Sequence, residues 1–272
     1  MLIIIISILV LVVIIYLYLI KAKSFNREHY KDFLDSFYAH RGLHQGRRIP
    51  ENSLKAFHLA LEKGYGIELD VRLTKDGVPV VFHDDNLKRM GGIDKDVIEL
   101  SYEEIKALRL YDTDERIPHL QEVLDLVDGK VPLIVELKIF DDEKNQCKII
   151  APCLDRYKGV YCIESFNPRV LIWYKKHRPH VIRGQLATKN VYDNPNLKER
   201  LINLLLRNLM LNFLTEPDFI AYNYKYSHFF SFTLCRLVYR PLTIAYTITS
   251  QKQLDRYRKR FQLFIFENFT PR

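Results

Sequence analysis

This chain of 272 residues is sparing with cysteine, and its four thiols, Cys147, Cys153, Cys162 and Cys235, never fall in a Cys-x-x-Cys spacing. A disulfide-stapled scaffold is excluded, and the pattern suits reduced core or surface residues, as in a cytoplasmic domain. No internal repeat or low-complexity tract is present, which removes solenoids and compositionally biased segments from consideration. The formal charge is +8, yet Lys and Arg are scattered rather than gathered into a basic stripe. Nucleic acid is therefore not an expected partner, and attraction to an anionic lipid leaflet is the better use of that charge. Residues 2–20 lack any charge, glycine or proline. Nineteen such residues span roughly 28 Å as a helix, close to the thickness of a hydrocarbon core. The features of a cleavable signal, a basic leader and a small-x-small cleavage site, are missing around this run. The charges Lys21, Lys23 and Arg27 follow it, so a single-pass membrane anchor with the remaining chain on the cytoplasmic side is expected.

Beyond the anchor (1–20), residues 21–36 read as a juxtamembrane linker and 37–272 as one folded domain. Short apolar runs there alternate with amphipathic stretches, which predicts βα units and a (β/α)₈ TIM barrel. Strands are expected at 37–39, 66–71, 78–82, 132–137, 159–163, 181–185, 219–222, 242–246 and 263–266, one more than the barrel needs. The turn Thr74-Lys75-Asp76-Gly77 accounts for the surplus, because Asp-Gly between two β-rich runs marks a hairpin. Residues 78–82 then return to the barrel rim without joining it. Ser53 or Asn52 can cap a helix over 54–63, and Ser101 with Glu104 forms a capping box. The leucine-dense segment 197–214 reads as a helix needing cover on more than one side.

Polar residues gather where these runs end: His40-Arg41-Gly42, Pro50-Glu51-Asn52, Glu68-Leu69-Asp70, Phe82-His83-Asp84 and Glu136-Leu137-Lys138. Glu68 and Asp70 are two apart on a strand, so both side chains face one side. Paired carboxylates repel unless a cation sits between them. With Glu136 as a third, the set suits one hard divalent ion, Mg²⁺ or Ca²⁺. His40 and His83 are the acid–base pair that phosphodiester cleavage requires. Arg41 can bridge phosphoryl oxygens and Lys138 can act as a point charge on another. Glu51 is expected beside Arg41 or on the substrate side of the site. The other histidines, His44 among them, read as structural.

These motifs resemble the glycerophosphodiester phosphodiesterase family. The stretch from His40 to Phe57 is similar to its opening signature, and Ile67–Asp84 is similar to its second block nearly residue for residue. Ile117–Leu124, Val135–Lys138 and Glu164–Leu171 follow at family-like spacing. The resemblance implies metal-dependent hydrolysis of glycerophosphodiesters to glycerol 3-phosphate and an alcohol. It assigns His40 and His83 to proton transfer, Glu68, Asp70 and Glu136 to the metal, and Arg41 and Lys138 to phosphate. It also implies attack by the glycerol 2-hydroxyl, through a cyclic phosphate that water then opens. Two positions depart from the family pattern: Tyr246 stands where Trp is common, and Glu267 where Asp is usual. The anchor raises a second expectation, a lysophospholipase D acting on membrane lysolipids. The third, a catalytically dead tethered scaffold, is opposed by the presence of every expected polar residue.

Overall fold

The computed structural model describes residues 1–192 and 195–272. Among them nine strands form one sheet: β1 (Tyr38–His40), β2 (Gly66–Leu73), β3 (Pro79–Val81), β4 (Leu133–Leu137), β5 (Tyr161–Ser165), β6 (Arg183–Ala187), β7 (Phe219–Asn223), β8 (Leu242–Ile248) and β9 (Leu263–Phe266). Eight of them are parallel neighbours, and β1 pairs with both β2 and β9, which closes the barrel. β3 alone is antiparallel, laid on β2 with Val71 opposite Val81. The expected hairpin is thus present. Its turn is tied by Gly77 N–H to the Thr74 carbonyl at 3.0 Å, with Gly77 at φ +76°. That backbone region suits glycine, which has no Cβ to clash.

Every residue of β2 is buried, on two different sides. Ile67, Leu69 and Val71 pack outward under the helices, while Glu68 and Asp70 take the alternate, inward positions. A strand covered on both faces is an apolar run interrupted only where function requires a polar side chain. Lower in the barrel, Tyr38, Ile134, Cys162, Phe219, Leu242, Ile244 and Ile265 form the interior plug. Gly184 in β6 makes room for it, since a Cβ there would lie 2.0 Å from the Phe219 ring.

Residues 21–36, expected as a linker, are folded onto the barrel. Helix α1 (Leu2–Leu19) runs into Ile20 and Ala22, both buried in the main core. Lys23 N–H then donates to the Pro217 carbonyl at 3.1 Å, and Phe25 N–H to that of Arg240 at 2.9 Å. Helix α2 (Arg27–Leu34), capped by Asn26, closes the lower end of the barrel with Tyr30 and Phe33. Tyr30 Oη–H donates to the Asp218 carbonyl at 3.2 Å. The aromatic residues dotted through a charged stretch are the sequence trace of this plug.

The segment 197–214 also differs from expectation. It is two helices, Leu197–Arg207 and Asn212–Thr215, broken where Leu209 takes φ +58°. Its outer leucines are not covered: Leu197, Leu201 and Leu204 remain exposed. Helix α3 (Leu54–Glu62) begins as expected, with Ser53 as its cap.

Burial of Ile20 makes the end of the apolar helix part of the folded unit. A fragment beginning at residue 16 is expected to keep near-native stability. One beginning at residue 24 loses the Ile20 contact, worth about 2 kcal/mol. For a domain of this size that is roughly 4–8 °C in Tm, and calorimetry of the two fragments measures it.

Candidate active site

Parallel register assembles the site from residues far apart in sequence. His40 sits beside Glu68, and one row further up Asp70, Glu136 and Glu164 stand side by side on β2, β4 and β5. Carboxylate oxygens of Glu68, Asp70 and Glu136 can all lie within 4.8 Å of one another, and all three residues are buried. This is the trio expected from sequence. Glu164 was not expected in the site: the predicted strand ended at residue 163, and the family-like stretch Glu164–Leu171 carried no site role. Among the described residues its Oε2 has no hydrogen-bond partner.

Charge compensation is uneven across the cluster. Lys138 Nζ lies 2.8 Å from Glu136 Oε1 and 3.2 Å from Asp70 Oδ1. Arg41 Nε lies 3.3 Å from Asp70 Oδ2, and Asn52 donates an Nδ2 hydrogen bond to the same oxygen at 2.9 Å. Burial works against ionisation of Asp70, but Lys138, His83 and Arg41 outweigh it and hold the carboxyl well below its usual range. Glu68 goes the other way: burial first, then Asp70, Glu164 and Glu136, push it well above the carboxylate norm. Burial also raises Glu164 well above the norm, and Glu136 more than Lys138 allows it to fall.

The donor set fits a hard divalent cation. It is all oxygen, it converges, and it holds more buried carboxylate than its cations balance. Glu68, Asp70 and Glu136 are the residues that would hold the ion.

A tight turn delivers Arg41. Both Arg41 and Gly42 have positive φ, +54° and +79°. A Cβ on Gly42 would meet the Ala56 backbone at 2.8 Å, so glycine is required there. The turn lets Arg41 N–H donate to Glu68 Oε2 at 3.0 Å while Nη1 donates to Glu51 Oε1 at 2.6 Å. Glu51 also accepts from Arg89 Nη2 at 2.6 Å and from Nη1 at 3.2 Å. Burial opposes its charge, but the two arginines win and its carboxyl falls below normal. Glu51 therefore braces Arg41 and Arg89.

Each catalytic candidate is oriented through Nδ1. Glu267 Oε2 lies 2.7 Å from His40 Nδ1, and Asp84 Oδ1 lies 2.8 Å from His83 Nδ1. The hydrogen bond to His40 and the nearby His44 ring drive the Glu267 carboxyl far below its usual range. At Asp84 burial opposes ionisation, but His83 and Arg89 together hold the carboxyl far below its usual range. An ionised carboxylate only accepts, so each ring must donate at Nδ1, which leaves Nε2 as the nitrogen that gains or gives up a proton. His40 is additionally pushed down by its burial, more than Glu267 lifts it. His44, read as structural, comes within 3.7 Å of Glu267. Arg89, Asn52 and Glu267 join the site without having been assigned a role in it. Tyr246, at the family's Trp position, donates to the Ala187 carbonyl at 2.8 Å and meets Phe166 edge-on.

The described geometry has close counterparts among known proteins. The sequence pattern that matches residues 40–229 is described as the glycerophosphoryl diester phosphodiesterase family. A glycerophosphodiester phosphodiesterase of Caldanaerobacter subterraneus subsp. tengcongensis is 38% identical over 159 residues, covering 54% of this chain and 65% of that protein. One from Bacillus altitudinis is 37% identical over 187 residues, covering 60% and 71%. A lysophospholipase D of Rattus norvegicus is 28% identical over 229 residues, covering 74% and 70%. Among solved structures, an Oleispira antarctica phosphodiesterase in complex with sn-glycerol-3-phosphate superposes with TM-score 0.70 at 24% identity, covering 88% of this chain and 94% of that one.

The cluster yields a pair of expected outcomes. Glu68→Gln combined with Asp70→Asn should abolish Mg²⁺ and Ca²⁺ binding in calorimetry while the circular dichroism spectrum persists. In metal-free protein, Glu68→Gln alone should stabilise. The raised folded-state pKa of Glu68 means its contribution is intact below the unfolded value and is lost as pH rises through the folded one. The gain in Tm from Gln should therefore be larger at pH 7 than at pH 4.

Proposed function

The chain belongs to the glycerophosphoryl diester phosphodiesterase family, and on that premise we propose that it hydrolyses glycerophosphodiesters to glycerol 3-phosphate and an alcohol. The observation that carries the reading is the pair of imidazoles, His40 and His83, each fixed at Nδ1 by an ionised carboxylate beside the Glu68–Asp70–Glu136 cluster. We further infer that residues 1–20 form a single-pass membrane anchor, and the basic flank after it supports a barrel on the cytoplasmic side.

His40 is the general base. Its lowered pKa keeps Nε2 free of a proton near neutrality, so it can take the proton of the attacking glycerol 2-hydroxyl. His83, in its charged form, gives a proton to the departing alkoxide; the roles reverse when water opens the cyclic phosphate. Arg41 and Lys138 meet the phosphoryl oxygens. Both are partly buried cations with raised pKa, Lys138 because Glu136 and Asp70 outweigh its burial, and Arg41 because Asp70, Glu51 and Glu68 outweigh its own. A bound Mg²⁺ or Ca²⁺ would neutralise charge that builds on the phosphoryl oxygens. A second reading, cleavage of lysolipids, draws on the similarity to the rat lysophospholipase D and on a cavity of about 290 Å³ at the rim, where Phe140, Phe166, Ile202 and Leu206 stand beside Arg169 and Lys198.

His40→Ala and His83→Ala should each lower turnover on glycerophosphocholine by roughly 10² to 10⁴ while leaving metal affinity near wild type. The wild-type pH profile should be bell-shaped, with one limb lost in each variant; near-normal turnover in either variant would remove that histidine from the mechanism. Glu267→Gln tests the orientation of His40. Because Glu267 raises the pKa of His40, its neutralisation should move the acidic limb to lower pH, and an unmoved limb would show that Glu267 does not act on that ring.

A further inference from the structure

The N-terminal apolar helix docks on the barrel in a defined direction. Tyr16 Oη lies 2.6 Å from Ser231 Oγ, and its ring stacks on Phe230 at 6.2 Å between centroids. Ile20 accepts at its carbonyl from Cys235 Sγ at 3.3 Å, and Phe25 N–H donates to Arg240. From residue 16 to 25 the chain therefore keeps pace with residues 230 to 240, running alongside helix Phe230–Val238 in the same sense. That helix follows β7, so its first residues lie by the C-terminal ends of the strands, where His40, Asp70 and Glu136 stand. Residues 2–15 extend beyond Phe230 on that side, and they are exposed.

The rim on this side carries apolar surface that nothing in the described chain covers. Leu197, Leu201 and Leu204 recur at one face of helix Leu197–Arg207, with Leu201 56% and Leu204 42% exposed. Asn208, directly after it, accepts at Oδ1 from Ser231 at 2.6 Å, which places this helix beside the docked anchor. Phe230, 71% exposed, continues the patch. Lys198 and Arg200, on the same helix, are exposed beside it. The opposite, inner face of the helix supplies Ile202 and Leu206 to the rim cavity, whose Phe140 and Tyr192 also line the polar cavity holding Lys138.

From this arrangement we propose that the catalytic mouth faces the bilayer, with helix Leu197–Arg207 lying in the interface of the leaflet that the anchor enters. The proposal rests on the assignment of residues 1–20 as an anchor. The occupant of the exposed patch is lipid: the patch is continuous with the anchor, Tyr16 and Tyr18 sit at the level where interfacial aromatics belong, and the adjacent cations match anionic headgroups. The cavity beneath the helix then offers a path for an acyl chain between the leaflet and the phosphate-binding end.

The test uses the full chain, with Cys153→Ser to silence the partly exposed thiol, in phosphatidylcholine–phosphatidylserine vesicles. Nitroxide labels at Leu201→Cys, Leu204→Cys and Phe230→Cys should favour dissolved oxygen over a water-soluble nickel chelate, whereas one at Lys158→Cys, at the other end of the barrel, should show the reverse. Rim labels as wet as Lys158→Cys would overturn the proposal, as would rim labels coupled to one another between copies, which would make a second chain the cover. Leu201→Asp with Leu204→Asp should lower cleavage of lysophosphatidylcholine in the vesicle by roughly tenfold or more while sparing glycerophosphocholine in solution. An equal loss on both substrates would mark the patch as structural and sink the idea. A wild type that cleaves neither diester would overturn the catalytic reading alone, since the labels still decide the orientation.

Discussion

Three carboxylates in one row of a parallel barrel, Asp70, Glu136 and Glu164, with Glu68 one step below, form a concentration of like charge in a nearly dry space. Coulomb repulsion at such spacing is strong where the effective dielectric is low, and the positions of the neighbouring side chains follow from managing it. Lys138 bridges Glu136 and one oxygen of Asp70, while Arg41 and Asn52 both meet the other Asp70 oxygen. The result is a gradient across a few ångströms. Asp70 is held ionised, whereas Glu68 and Glu164 are held toward their neutral forms. A buried acidic cluster of this kind is costly to stability unless it is filled, so its retention is a mark of use.

The backbone serves the same end. Arg41 reaches Asp70 only because the chain after β1 turns through two left-handed residues, one of them a non-glycine. Such conformations persist where the surroundings over-determine them. Here the Arg41 N–H on Glu68, the Arg41 side chain on Glu51 and the fit of Gly42 against helix α3 supply that constraint. The Arg41–Glu51 pair and the Asn52 N–H donated to the Arg41 carbonyl explain why His-Arg-Gly and Pro-Glu-Asn occur together: each motif holds the other in place.

Much of this was legible in the residues. The closed barrel followed from alternating periodicity, the hairpin from Asp76-Gly77, and the cluster from carboxylates two apart at strand ends. What escaped was information that exists only in three dimensions. Glu164 is an acid one residue past an apolar run, and its placement inside the barrel depends on the register with Glu136. Arg89 sits in no recognisable pattern and reaches Glu51 across 38 positions of sequence. Ile20 reads as part of an apolar span because hydropathy cannot distinguish lipid from core as its solvent. Leu201 and Leu204 read as residues needing cover, yet their pattern does not say whether protein provides it.

The excursion between β2 and β4 has a character of its own. Val80, Phe82, Leu87, Met90, Val97, Leu100, Ile105, Leu110 and Ile117 make a separate apolar cluster above the rim. It delivers His83 and Arg89, and it is held to the rest of the structure by the β3 ladder on β2 and by the Arg89 bridge to Glu51. A region with an apolar cluster of its own can open locally at a lower free energy than the whole domain. Half of the proton-transfer pair therefore rides on a part that can breathe while the barrel stays closed. Substitutions among those nine apolar residues can retune catalytic turnover through that breathing more than they move the melting temperature of the barrel.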